Sequence, residues 1–137
     1  MPLPGQAAAT PATRAEHGRA VQEQIVGVDR VQRMYAAAAG DERHFQQFLS
    51  ANCFGDHVAR AGIGVPMREL LTFAMLTALG GCDAQVRRHV AANLTVGNTR
   101  QDLLDVLTVL VPFIGYPRTL NALAAVNEIA PASTEGH

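Results

Sequence analysis

The sequence contains no lysine, and every one of its eleven basic residues is arginine. Without a lysine ammonium there is no Schiff-base nucleophile and no P-loop lysine, which excludes two large enzyme classes. Cysteine is nearly as scarce. Cys53 and Cys82 are the two in the chain, too few for a disulfide scaffold. In a reducing cytoplasm, the expected location, they should be thiols or catalytic groups. No apolar run approaches the roughly 20 residues of a membrane span. The opening "MPLPGQAAATPAT" lacks the basic and apolar regions of a secretory leader, and residues 1–13 read as a disordered arm. The five histidines are scattered, with no HxH, HExxH or CxxC pattern, so nothing signals a metal. A net charge of −1 gives no electrostatic footprint for nucleic acid or an anionic membrane.

What is present is apolar and helical. At 137 residues and 48% hydrophobic content, the chain is long enough for one domain with a true core, expected over residues 14–130 and followed by a loose tail at 131–137. No stretch alternates with period two and no internal repeat is visible. Val21, Ile25, Val28 and Val31 predict one helix from Arg14 to about Tyr35. A second is expected from about Glu42 into "FQQFLSANCFGD". After the loop "RAGIGVP", Pro66 suits the first turn of a helix that is apolar almost all round, and is therefore expected to be central and buried. Gly80 and Gly81 should end it, and Asp83 should cap a helix running to about Val96. "TRQD" at 99–102 reads as a capping box with a shorter acid than usual. Leu103, Leu104, Leu107 and Leu110 or Val111 form the inward stripe of that helix, and Pro112 bends or ends it. A last helix is expected from Pro117 to about Ile129. The fold class is all-α, with about six helices joined by short loops.

The chemistry-bearing residues cluster in "GGCDAQVRRHV", 80–90. On a helix from Asp83, His89 falls on or beside the apolar face of Val86, Val90 and Leu94. It is either a core histidine bonded to backbone or an acid–base group. Cys82 precedes the helix, whose free N–H groups can lower a thiol pKa, although Asp83 opposes this. The alternative is a small residue closing a tight turn. Gln85 lies between Cys82 and His89 and is placed to relay a hydrogen bond. Glu69 opens the most apolar helix, either held by the helix dipole or turned into a pocket. With the hairpin centred on Gly81, Glu69 should face roughly Asn93, one turn from His89. A Glu–His pair in an apolar site is a workable general acid and base.

Four stretches, "FLSANCFGDHVARAGI", "RELLTFAMLTALGGC", "HVAANLTVGNTRQDLLDVL" and "GYPRTLNAL", resemble the carboxymuconolactone decarboxylase family, which includes alkylhydroperoxidase D-like proteins. The resemblance spans roughly residues 15 to 130. It implies an all-helical subunit built on a helical hairpin, assembling as a trimer or hexamer with sites near subunit contacts. It also implies an acid–base histidine at His89. In the redox branch of the family a glutamate, two cysteines and a histidine carry the chemistry. Glu69, Cys82 and His89 match three of these, but Gln85 stands in the place of the second cysteine. One extra residue separates Glu69 from Cys82.

The expected function is therefore a cofactor-independent enzyme acting on a small carboxylated or lactone substrate by proton transfer or decarboxylation. His89 is the main acid or base and Glu69 its partner. Arg118 and Tyr116 are candidates to orient a substrate carboxylate, since a planar guanidinium can grip one through two hydrogen bonds; a subunit salt bridge is the alternative for Arg118. Two other readings remain open: a thiol-dependent hydroperoxide reductase using Cys82 with Cys53 as resolving thiol, and a non-catalytic oligomeric binding protein. The expected partners are a small-molecule substrate and further copies of the chain, with no nucleic acid and no membrane.

Overall fold

The computed structural model describes residues 11–134, which form seven α-helices and one π-helical stretch, with no strand among the described residues. Residues 1–10 of the expected arm and 135–137 of the expected tail lie outside the described residues, and Pro11–Thr13 already belong to the first helix. No described helix is long and apolar enough to cross a membrane. The chain divides into two compact units, one ending at Gly62 and one beginning at Ile63.

In the first unit, α1 (Pro11–Val26) and α2 (Val28–Ala37) replace the single helix expected over 14–35. Gly27, at φ 99°, breaks it, a conformation open to glycine because it has no Cβ. The valine and isoleucine spacing runs across the break, so periodicity alone could not show it. Then α3 (Arg43–Phe48) continues without a loop into a π-helical stretch, Leu49–Val58. Its wider winding is seen where the Ala59 N–H donates to the Phe54 carbonyl, five residues back, at 2.9 Å. Against it packs α1, so closely that a Cβ on Gly18 would stand 1.8 Å from the Ser50 carbonyl oxygen. Ile25, Val31 and Phe54 form the apolar centre. Beside them the buried Ser50 hydroxyl donates to Gln22 Oε1 at 2.5 Å and lies 2.6 Å from the Tyr35 hydroxyl. Arg14 pairs with Asp56. That guanidinium, mainly through its hydrogen bonds, holds the Asp56 carboxyl below its ordinary range.

The second unit contains α4 (Val65–Leu79), α5 (Asp83–Thr95), α6 (Arg100–Ile114) and α7 (Tyr116–Ile129). Phe73, Val86, Val90, Leu103, Leu107, Ala122, Ala125 and Val126 close its core. As expected, Gly80 ends α4, and Gly80 and Gly81 turn the chain with φ near +70°. The residue flanking α5 is Cys82 rather than Asp83, which instead occupies the first turn and makes no cap bond. The capping box at α6 forms as read: the Thr99 hydroxyl accepts the Asp102 N–H at 3.2 Å, and Asp102 Oδ2 accepts the Thr99 N–H at 2.7 Å. Pro112 lies inside α6, which runs on to Ile114 and stops at Gly115.

The largest departure concerns α4. Its inward face is Glu69, Phe73 and Thr77, whereas Met67, Leu71, Met75 and Leu79 are exposed. Each set repeats every four residues, so each forms one stripe along the helix. The buried stripe includes two polar residues, Glu69 and Thr77, and the exposed stripe is wholly apolar. A helix apolar all round offers no contrast from which sequence could tell the two sides apart.

Candidate active site

Glu69 sits in the second turn of α4 on the face turned to α5, and His89 sits midway along α5. The Gly80–Gly81 turn folds the two helices into a hairpin whose register sets these residues opposite each other. Glu69 Oε2 lies 2.8 Å from His89 Nδ1, with 3% of the Glu69 side chain and 23% of the His89 side chain exposed. With Glu69 as a carboxylate, which only accepts, Nδ1 carries the hydrogen and donates it. The other ring nitrogen, Nε2, is then free to take or give a proton, and the partly open imidazole can meet a substrate.

Asn93 holds this register. Wholly buried one turn beyond His89, its Nδ2 donates to the Glu69 carbonyl at 3.1 Å and to the His89 carbonyl at 2.7 Å. Its Oδ1 accepts from Asn98 Nδ2 at 2.9 Å, and that same nitrogen donates to the Pro66 carbonyl at 2.8 Å. A chain of side-chain amides thus straps the start of α4 to the end of α5, directly behind the Glu–His pair. Asn93 was visible in the sequence as the residue opposite Glu69. Asn98 gave no sign of this role in the sequence.

The Cys82 thiol is half-buried and donates to the Leu76 carbonyl at 3.1 Å, closing the turn. Cys82 and His89 are seven residues apart, about 10.5 Å of helix rise. Gln85 is exposed and joins neither of them. Cys53 is exposed in the π-helical stretch of the first unit. Arg118 and Tyr116 both lie in the first turn of α7 and are exposed. The Arg118 side chain runs along Gly80, where an added Cβ would stand 2.6 Å from its Nε. Structure therefore brings Glu69 and His89 together, and sets Arg118 beside the far end of α4. Arg87 makes a surface ion pair with Glu128 at 2.8 Å. No group of three His, Cys, Asp or Glu side chains could hold a metal ion among the described residues.

A helical hairpin with a buried glutamate on one arm and a histidine on the other defines an all-helical scaffold with a hydrogen-bonded Glu–His pair between two helices. The comparison with known families gives it a place: residues 43–128 match the carboxymuconolactone decarboxylase family. The chain belongs to that family. It is also similar to the 4-carboxymuconolactone decarboxylase of Acinetobacter baylyi, with 28% identity over 116 residues that cover 85% of this chain and 86% of the relative.

Proposed function

We propose that the chain is a cofactor-independent acid–base enzyme that acts on a small carboxylated or lactone substrate, moving a proton and, in the decarboxylase form, releasing carbon dioxide. The observation that carries this reading is the 2.8 Å contact of His89 Nδ1 with the buried Glu69 carboxylate. The family, and a relative named as a decarboxylase, support it. In the decarboxylation, the bond from carbon to the substrate carboxylate breaks and carbon dioxide leaves. The electron pair passes into the conjugated lactone, and His89 Nε2–H delivers the proton that completes the product. Glu69 stabilises the imidazolium before transfer and keeps the ring oriented. In the reverse sense, the neutral ring takes a proton from carbon and Glu69 stabilises the charge it gains.

The thiol reading has no comparable support, because the Cys82 thiol is occupied with the Leu76 carbonyl. Turnover of a panel of carboxylated lactones by wild type and His89→Gln tests the acid–base assignment. Loss of turnover in the variant is expected, and equal turnover by both would sink it.

The proposal extends to assembly in the cytoplasm as a homo-oligomer of three or more subunits. Met67, Leu71, Met75 and Leu79 on α4, with Val109 and Phe113 on α6, are exposed, and so much large apolar surface normally marks an interface. Light scattering should give a multiple of the 14.6 kDa chain mass; a folded monomer at micromolar concentration would refute this.

A further inference from the structure

Between the end of α4, the start of α5 and the first turns of α7 lies a cavity of about 130 Å³, lined by Thr77, Gly80, Gly81, Asp83, Arg118 and Asn121 together with apolar side chains. Thr77 is 2% exposed, and its hydroxyl oxygen has no hydrogen-bond partner. Buried hydroxyls almost always find one, so this group is arranged to bond whatever occupies the cavity. Arg118 adds a guanidinium fork, brought close by the missing Cβ at Gly80. Asn121 adds an amide, and Asp83 the one carboxylate of the lining.

We propose that this cavity is a binding site for a small hydroxycarboxylate. The Arg118 guanidinium takes the carboxylate through two N–H donors, the Thr77 hydroxyl and the Asn121 amide donate to the same group, and Asp83 accepts the hydrogen of the ligand hydroxyl. Size agrees with this. A cavity of roughly 150 Å³ admits benzene, so this one admits a ligand of about six heavy atoms, as small as glycolate or lactate. The site is separate from the acid–base pair. Neither Glu69 nor His89 lines it, and Thr77 lies eight residues beyond Glu69, a rise of about 12 Å. The proposal thus does not rest on the reaction assigned to His89.

Titration of the full-length protein with glycolate, at constant ionic strength and followed by amide nuclear magnetic resonance, tests it. Saturable shifts are expected at Gly80, Gly81, Asp83 and Asn121. Arg118→Met keeps the aliphatic stem of an exposed residue and should weaken binding by about tenfold or more, since it removes a charge-assisted bidentate contact. Thr77→Val, nearly isosteric, should also weaken it, and His89→Gln should leave it unchanged. Shifts that survive Arg118→Met would overturn the proposal. So would the absence of saturable shifts, which leaves the cavity to water alone, or loss of binding in His89→Gln, which moves the ligand to the other site.

Discussion

Replacing Asn93 by alanine should loosen the hairpin more than any surface change, and the structure sets the size of the effect. Three hydrogen bonds end at this wholly buried side chain: two donated to the Glu69 and His89 carbonyls, one accepted from Asn98. At about 0.5–1.5 kcal/mol net for each bond, their loss amounts to roughly 2–4 kcal/mol. Two considerations pull in opposite directions. Both carbonyls lie within helices, where the backbone N–H four residues on also serves them, so neither is orphaned and the bond loss falls in the lower half of that range. Against this, alanine leaves a small void in a buried position, which adds to the cost. The expected destabilisation is about 3 kcal/mol, more than a hundredfold in the folding equilibrium. Urea unfolding followed by helical circular dichroism measures it, at one fixed protein concentration because assembly would make stability concentration-dependent. A loss under about 1 kcal/mol with an unchanged slope would refute the claim that the amide chain holds the register. Asn93→Asp sharpens the test. It sets a carboxylate against two carbonyl oxygens, so it should be the more damaging at neutral pH and recover partly in acid, where protonation restores a donor.

Gly18→Ala should destabilise the first unit by about 3 kcal/mol although alanine is the better helix former, because the new Cβ meets the Ser50 carbonyl at 1.8 Å; a neutral or stabilising result on thermal melting would contradict the close approach of α1. The capping box gives a pH signature. Hydrogen bonds from the Thr99 backbone N–H and then its hydroxyl hold the Asp102 carboxyl below its ordinary value of 3.8. A folded-state value that is lowered adds stability which is fully present above 3.8 and lost as pH falls through the lowered value. The stability difference between wild type and Asp102→Asn should therefore be constant near neutrality and shrink in acid; a difference flat throughout would show that the carboxylate form contributes nothing. Thr99→Ala should cost about 1 kcal/mol through loss of the same cap, measured by urea unfolding.

The parts of this molecule that sequence disclosed are those where local chemistry and tertiary structure agree. Gly80 and Gly81 are both the stop of α4 and the turn of the hairpin, so counting residues from them set Glu69 opposite Asn93 and within reach of His89. The "TRQD" box is likewise complete within four residues. Where a feature depends on winding or on what lies outside a helix, the pattern is silent. The apolar spacing from Val21 to Val31 continues through Gly27 and hides a positive φ. The π-helical stretch 49–58 differs from an α-helix by one residue per hydrogen bond, too little for ten residues of mixed polarity to reveal. On α4, apolar on all sides, nothing local chose Glu69, Phe73 and Thr77 as the buried stripe. Cys82 was grouped with His89 by nearness in sequence and by the family resemblance, and Arg118 by the capacity of a guanidinium to grip a carboxylate. Their positions are set by the folding of α7 along Gly80 and by a thiol hydrogen bond across the turn, neither of which a spacing rule contains.

The most direct test is a double-mutant cycle on the acid–base pair, with kcat/KM measured for wild type, His89→Gln, Glu69→Gln and the double variant on whichever carboxylated lactone the wild type turns over. His89→Gln should lose about 10²–10⁴ in rate, the usual worth of a positioned general acid or base. Glu69→Gln should lose less, and the double variant should be no slower than His89→Gln alone, since Glu69 acts only through the ring it holds. Losses that multiply in the double variant would show two residues working independently, and the pair at 2.8 Å would not be the catalytic unit.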